Sequence, residues 1–158
     1  MLLEICNTGK NLSLSDFEEV ERKLKKPLPM AYKKFLLKHN GGEPRESYID
    51  FDAEKLNLSG QAINVFYGLG VQPCDDIVHK IGSIGDQIPE GVIFIADTAG
   101  GDHFLLSLRK DSYGEIFYKD HEFEDLSPFE PSKNILPESI VKVANTFSDF
   151  LDALYGDE

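Results

Sequence analysis

The chain holds 158 residues, 41% of them hydrophobic, and 16 Lys/Arg against 28 Asp/Glu give it a formal net charge of −12. Such a length suits one domain burying roughly 70% of the surface its unfolded chain exposes, so residues 1–158 are read as a single unit with a core over about 12–155. The charge is uneven: residues 1–40 carry 8 Lys/Arg against 5 Asp/Glu and residues 41–158 carry 8 against 23, so nucleic acid, which demands a basic stripe, is not expected as a direct partner.

In chain order, Leu12 to Lys25 is predicted as an amphipathic helix. Ser13 suits the N-cap and Asp16 the third helical position. Phe17, Val20 and Leu24 recur on one face, opposite a solvent face of Glu18, Glu21, Arg22 and Lys25. Lys26-Pro27-Leu28-Pro29 breaks this helix. Pro29, whose missing N–H would be unpaired there anyway, suits the first residue of a second helix running to about His39. Tyr32, Phe35 and Leu36 form its buried stripe, Lys33, Lys34 and Lys38 its wet side, and Asn40-Gly41-Gly42 a left-handed stop.

Ser47 to Phe51 alternates polar and apolar residues as a half-buried strand does, and Ala62 to Tyr67 reads as another strand. A loop with Gly68, Gly70 and Pro73 leads to a helix opening near Asp75 or Asp76, with Ile77, Val78, Ile81 and Ile84 inward and Gly85 at its end. Val92 to Ala96 and Phe104 to Leu108 show almost no solvent-side alternation, which suits strands covered on both faces at the centre of the sheet. Between them, Asp97 to Asp102 supplies two glycines that reach positive φ and two aspartates that can bond their own backbone. Glu115 to Lys119 completes an antiparallel meander over 91–120.

Asp120, Glu122, Glu124, Asp125 and Glu130 follow without an intervening Lys or Arg, interleaved with Phe123, Leu126 and Phe129. Pro128, Pro131 and Pro137 keep residues 126–138 irregular. A closing helix starts at about Thr146, capped by Thr146 and Asp149, with Phe147, Phe150, Leu151 and Leu154 on its apolar side. The fold class is therefore α+β: a twisted antiparallel sheet with N-terminal, middle and C-terminal helices packed against it.

Cys6 and Cys74 match neither a metal-ligand spacing nor a disulfide framework and read as reduced thiols. No basic segment precedes the short apolar start, and no apolar run approaches a membrane span, so a soluble cytoplasmic protein away from membranes is expected. Asp97, Asp102, His103 and His121 are the residues a metal or acid/base site would gather, but their spacing is not diagnostic. Gly82-Ser83-Ile84-Gly85 lacks the register of a nucleophile elbow, and Gly100-Gly101 alone is no phosphate loop. No catalytic residue, metal ligand or cofactor is assigned.

Leu28 to Leu36, followed by His39-Asn40-Gly41-Gly42-Glu43-Pro44, resembles the entry signature of the SUKH superfamily. Ile95 to Asp102 resembles that family's strand, Ala-Asp pair and glycine turn. Ile116 to Glu122 is similar to its strand and Asp-His-Glu step, and Phe147 to Leu151 to its closing helix, so that the blocks cover about residues 13–155. Ala31 stands where the family has an acid, and the aromatic strand lacks the family's tryptophan. The resemblance implies a single α+β domain without chemistry of its own. In bacteria such domains serve mainly as immunity proteins against cognate polymorphic toxins, and in fungi, in the Smi/Knr type, as regulatory scaffolds of cell-wall assembly.

The leading expectation is a non-catalytic immunity protein that binds a basic toxin domain through an acidic surface. A Smi/Knr-type scaffold is the alternative, and a metal-dependent enzyme the third reading. The scarcity of flanking arms favours the first, and a monomer is the favoured state. The candidate patch has Asp97 and Asp102 along one edge, Asp120, Glu122, Glu124 and Asp125 along another, and Phe123 as an aromatic anchor. The competing expectation is that Phe123 packs inward and the carboxylates are merely solvated, keeping the protein soluble.

Overall fold

The computed structural model describes residues 3–56, 58–123 and 136–156. The first helix, α1 (Leu14–Leu24), opens as its sequence requires: Ser13 is extended, and its N–H donates to Asp16 Oδ2 at 2.8 Å, a bond made possible by an acid three residues on. Phe17 and Val20 are buried, and Lys25 closes the helix in the left-handed region. Glu21 departs from the expected solvent face. Its Oε2 accepts the Leu28 N–H at 2.8 Å and its Oε1 pairs with Lys33 Nζ at 3.0 Å, so it ties α1 to the second helix across the proline break.

That helix, α2 (Met30–Lys38), is preceded by Pro29 and buries Tyr32, Phe35 and Leu36. The expected left-handed stop begins later than Asn40: His39 is extended, Asn40 is buried, and positive φ starts at Gly41 and Gly42. Asn40 Nδ2 donates to the carbonyls of Leu69 (2.8 Å) and Lys10 (3.0 Å), while Oδ1 accepts the Leu69 N–H (2.8 Å). One amide thus satisfies three backbone groups from two separate segments, which is what makes its burial affordable. Gly41 has φ +73, and a Cβ there would lie 2.8 Å from the Phe66 carbonyl oxygen.

Strands β1 (Ile5–Cys6) and β2 (Glu43–Pro44) form a short ribbon, and β3 (Tyr48–Ala53) and β4 (Leu58–Ala62) a second antiparallel pair. The main sheet contains β5 (Val65–Phe66), β6 (Val92–Asp97), β7 (His103–Ser107), β8 (Ile116–Lys119) and β9 (Ile140–Ala144), antiparallel and in that spatial order. The meander is therefore β6–β7–β8, with β7 at the middle of the sheet. Ala62 to Tyr67 is not one strand: Ala62 closes β4, and Val65–Phe66 pairs with β6 in a different sheet. Strand β9 was not foreseen, although Ile140 and Val141 are buried against the core.

Helix α3 (Ile77–Ile84) starts at Asp76, whose Oδ1 accepts the His79 N–H at 3.0 Å, and it packs on β6. Helix α4 (Phe147–Asp152) starts at Thr146, whose hydroxyl accepts the Asp149 N–H at 3.0 Å. Phe147 sets its ring 4.9 Å from Tyr32 and 5.1 Å from Phe35, and Phe150 lies 5.3 Å from Phe104 on β7. Each such aromatic pair adds about 0.5–1.5 kcal/mol beyond its area. α2 and α4 are thereby fixed to each other, and α4 to the sheet. The α+β fold class follows directly, with the sheet antiparallel as expected.

Candidate functional site

Strand register defines one end of the sheet. Val65 pairs with Asp97, Asp97 with His103, His103 with Lys119, and Lys119 with Ile140, so these residues form a row across all five strands. The β6–β7 turn and the chain leaving β8 both emerge at this end.

The turn is closed by Thr98 and not by its aspartates. The Thr98 N–H donates to the Asp102 carbonyl at 3.0 Å, and the Asp102 N–H donates to the Thr98 hydroxyl at 3.1 Å. The expectation that both carboxylates bond their own backbone is corrected: each is engaged elsewhere. Asp97 accepts from the Tyr67 hydroxyl at 2.8 Å and from Asn64 Nδ2 at 3.2 Å. Burial pushes its carboxyl above the ordinary range, against the opposing pull of those two bonds.

Asp102 instead reaches across the sheet end. It accepts the Tyr118 hydroxyl with one oxygen; the other accepts the His121 N–H at 2.9 Å and lies 2.6 Å from His121 Nδ1. Burial pushes this carboxyl up, but the bonds from Tyr118 and His121 together outweigh it and hold it below the ordinary value. The same pair raises His121, chiefly through the bond to Asp102. Gly101 completes the joint. With φ +98 it would place any Cβ 3.3 Å from the His121 ring, so the ring rests over a position where only glycine fits easily.

His103 takes a different role. Its ring stands edge-on to Phe94, with centroids 4.8 Å apart, and burial, then the Lys80 charge, push it down to about 4. It is a neutral, packed side chain at neutral pH. The quartet that an acid/base site would need is thus divided: Asp97 faces Tyr67 and Asn64, His103 packs on Phe94, and Asp102 with His121 forms a separate pair. Ligand-type atoms of Asp102, Asp120 and His121 lie within 4.8 Å of one another, with Asp102 and His121 already bonded together.

Of the remaining candidate residues, Asp120 anchors a turn by accepting the Glu122 N–H at 2.9 Å, while its own N–H reaches the Ser139 carbonyl at 3.0 Å. The Glu122 side chain is 83% exposed. Phe123 is half-buried and packs against the core. Glu124 and Asp125 lie outside the described residues. The structure therefore brings Asp102, Asp120 and Glu122 to one locality, through His121, and sets Asp97 on the opposite flank of the turn. Sequence reasoning missed the phenols of Tyr67 and Tyr118. The available signal was two tyrosines in apolar stretches, Tyr67 ending the run from Ala62 and Tyr118 inside β8, whose hydroxyls need partners once buried.

An antiparallel sheet backed by helices, with Asp102 bonded to His121 at one end, defines a small α+β protein. The chain belongs to the SMI1 / KNR4 family (SUKH-1), whose model matches residues 11–153, and this bears out the resemblance read from its motifs. It is similar to an uncharacterized SPbeta prophage-derived protein of Bacillus subtilis (strain 168), YokK, at 27% identity over an alignment of 162 residues that covers 94% of this chain and 74% of the relative. Among the described residues, no helix is long and apolar enough to cross a membrane.

Proposed function

We propose that this chain is a non-catalytic protein-binding module, one domain acting in the cytoplasm as an immunity protein that binds and neutralises a basic toxin domain. The observation that carries this reading is the contact between Asp102 and His121, because it holds the β6–β7 turn beside the first residues of the acid-rich segment. Carboxylates contributed by two separate elements then act as one field. Membership of the SMI1 / KNR4 family and the excess of 23 Asp/Glu over 8 Lys/Arg in residues 41–158 support it.

Partner binding is assigned to the carboxylates Asp120, Glu122, Glu124 and Asp125 and to the part of Phe123 that its packing against the core leaves exposed, with Asp97 and Asp102 contributing charge and shape from behind. The exposed Glu122, whose Oε1 lies 3.6 Å from His121 Nε2, makes direct contact, whereas the half-buried Asp97 and Asp102 spend their oxygens on closer internal bonds. The test is co-expression with the product of the adjacent gene, followed by purification of the complex and a growth assay. A tight one-to-one complex that relieves toxicity supports immunity; capture of several unrelated proteins with no relief favours the Smi/Knr-type scaffold.

A further inference from the structure

A groove of about 500 Å³ lies between α2 and α4, and its lining shares no residue with the acidic end of the sheet. Its floor is apolar, formed by Ala31, Phe35 and Leu151, with Leu3 at its end. Met30, Lys34 and Lys38, spaced four residues apart, stand in line along the α2 rim. Met30 is 64% exposed beside this apolar floor, and its flexible thioether adapts well to varied partners. The two lysines form no ion pair among the described residues, unlike Lys33, which Glu21 holds. His39 at the end of the rim is pushed down by burial and by Lys38, so the positive charge there belongs to the lysines. The α4 rim offers Ser148 and Asp152, and no ion pair joins the two rims among the described residues, which leaves the groove open.

We infer that this groove is a second docking surface, and that its occupant is an amphipathic acidic segment of a partner protein. Large apolar side chains of that segment fill the floor against Met30, Phe35 and Leu151. Its Asp/Glu flank lies along Lys34 and Lys38, and its neutral flank faces Asp152. Charge complementarity selects this occupant: the lysine rim belongs to residues 1–40, the one stretch with a basic excess in a chain that is otherwise strongly acidic. The orientation follows from the rims, since a segment reversed in the groove would set its carboxylates against Asp152. The surface differs in location and in sign from the acidic edge proposed for the toxin.

The chain has two methionines, Met1 and Met30, so methyl-labelled methionine gives a direct reporter on the groove. The full-length protein is titrated with a synthetic helical peptide about four turns long, bearing leucines along one face and glutamates on a flank. A scrambled peptide of the same composition is the control. The expected result is saturable movement of the Met30 methyl with the patterned peptide only. Lys34→Gln/Lys38→Gln should weaken binding about tenfold and flatten its salt dependence, both lysines being exposed so that folding is unaffected. The same neutralisation at Lys10 and Lys23, which line a different groove, should leave affinity unchanged. A stationary Met30 methyl, equal binding of the scrambled peptide, or indifference to the Lys34/Lys38 pair would overturn the inference. Movement of Met30 with protein concentration alone would assign the groove to a second copy and overturn it as well. None of these outcomes bears on toxin binding at the acidic edge.

Discussion

His121 and Asp102 form the joint between two elements that are distant along the chain: Nδ1 of the histidine lies 2.6 Å from Oδ1 of the aspartate, and the histidine N–H donates to the same oxygen at 2.9 Å. The bond raises the histidine and lowers the aspartate, so each ionisation carries stability in its own window. The raised histidine contributes fully below its unfolded value near 6.5 and loses that contribution as pH climbs through its higher folded value. The depressed carboxylate contributes above 3.8 and loses its share as pH falls through its lower folded value. Proton NMR titration should place the His121 midpoint above 6.5, and Asp102→Asn should return it toward that value. A midpoint at or below 6.5 in the unmodified chain would count against the joint.

His103 responds to acid in the opposite sense. Its folded value of about 4 lies below the unfolded 6.5, so its contribution is present above 6.5 and is lost as pH falls toward 4. His103→Phe preserves the ring contact with Phe94 and removes the titration. Urea denaturation at stepped pH should show less destabilisation of this variant between pH 6.5 and 4 than of the parent; equal slopes would disagree.

Tyr118→Phe removes the phenol that donates to Asp102 while keeping the ring packed against Phe104, 5.2 Å away. Loss of a hydrogen bond to a part-buried carboxylate should cost about 1.5–3 kcal/mol at pH 7. The carboxyl should also titrate higher than in the parent. Urea unfolding and carboxylate NMR read the two effects separately, and an unchanged midpoint for both would be inconsistent with the geometry described.

Asn40→Ala strands the Leu69 N–H and leaves two backbone carbonyls without their amide partner. The expected loss is about 2–4 kcal/mol, measured by chemical denaturation, because several buried polar groups lose partners together. Gly41→Ala should be destabilising through a different cause, since φ is +73 and the new methyl meets the Phe66 carbonyl oxygen.

Much of this architecture was legible from local chemistry. Ser13 with Asp16, Asp76 and Thr146 mark helix starts by hydrogen bonds that span at most three residues; the first and last form as read, and Asp76 is the one of the two aspartates considered that caps its helix. The apolar runs from Val92 and Phe104 identify strands for the same local reason. Strand β9 was less accessible because Lys142 and the partly exposed Val143 and Ala144 blur its apolar character. Long-range ties were not legible at all. Glu21 reaching Leu28 and Lys33, Asn40 reaching Leu69, and Asp102 reaching His121 depend on where the folded chain returns, and an Asp in a glycine turn reads as turn chemistry until its neighbour is known. The acidic composition was plain, and a patch joining the turn to Asp120 was expected from it; that Asp102 itself bonds His121 was not legible.

The proposed acidic binding edge is tested most directly by the rate at which the partner proposed for it, a basic toxin domain encoded by the adjacent gene, associates with this chain. Stopped-flow measurements over a salt series should show an association rate approaching about 10⁸ M⁻¹s⁻¹ at low salt and falling steeply as salt is added. Charge reversal at Glu122, Glu124 and Asp125 should slow association by at least about tenfold at low salt while leaving the high-salt rate almost unchanged. An association rate indifferent both to salt and to those reversals would contradict an acidic binding edge.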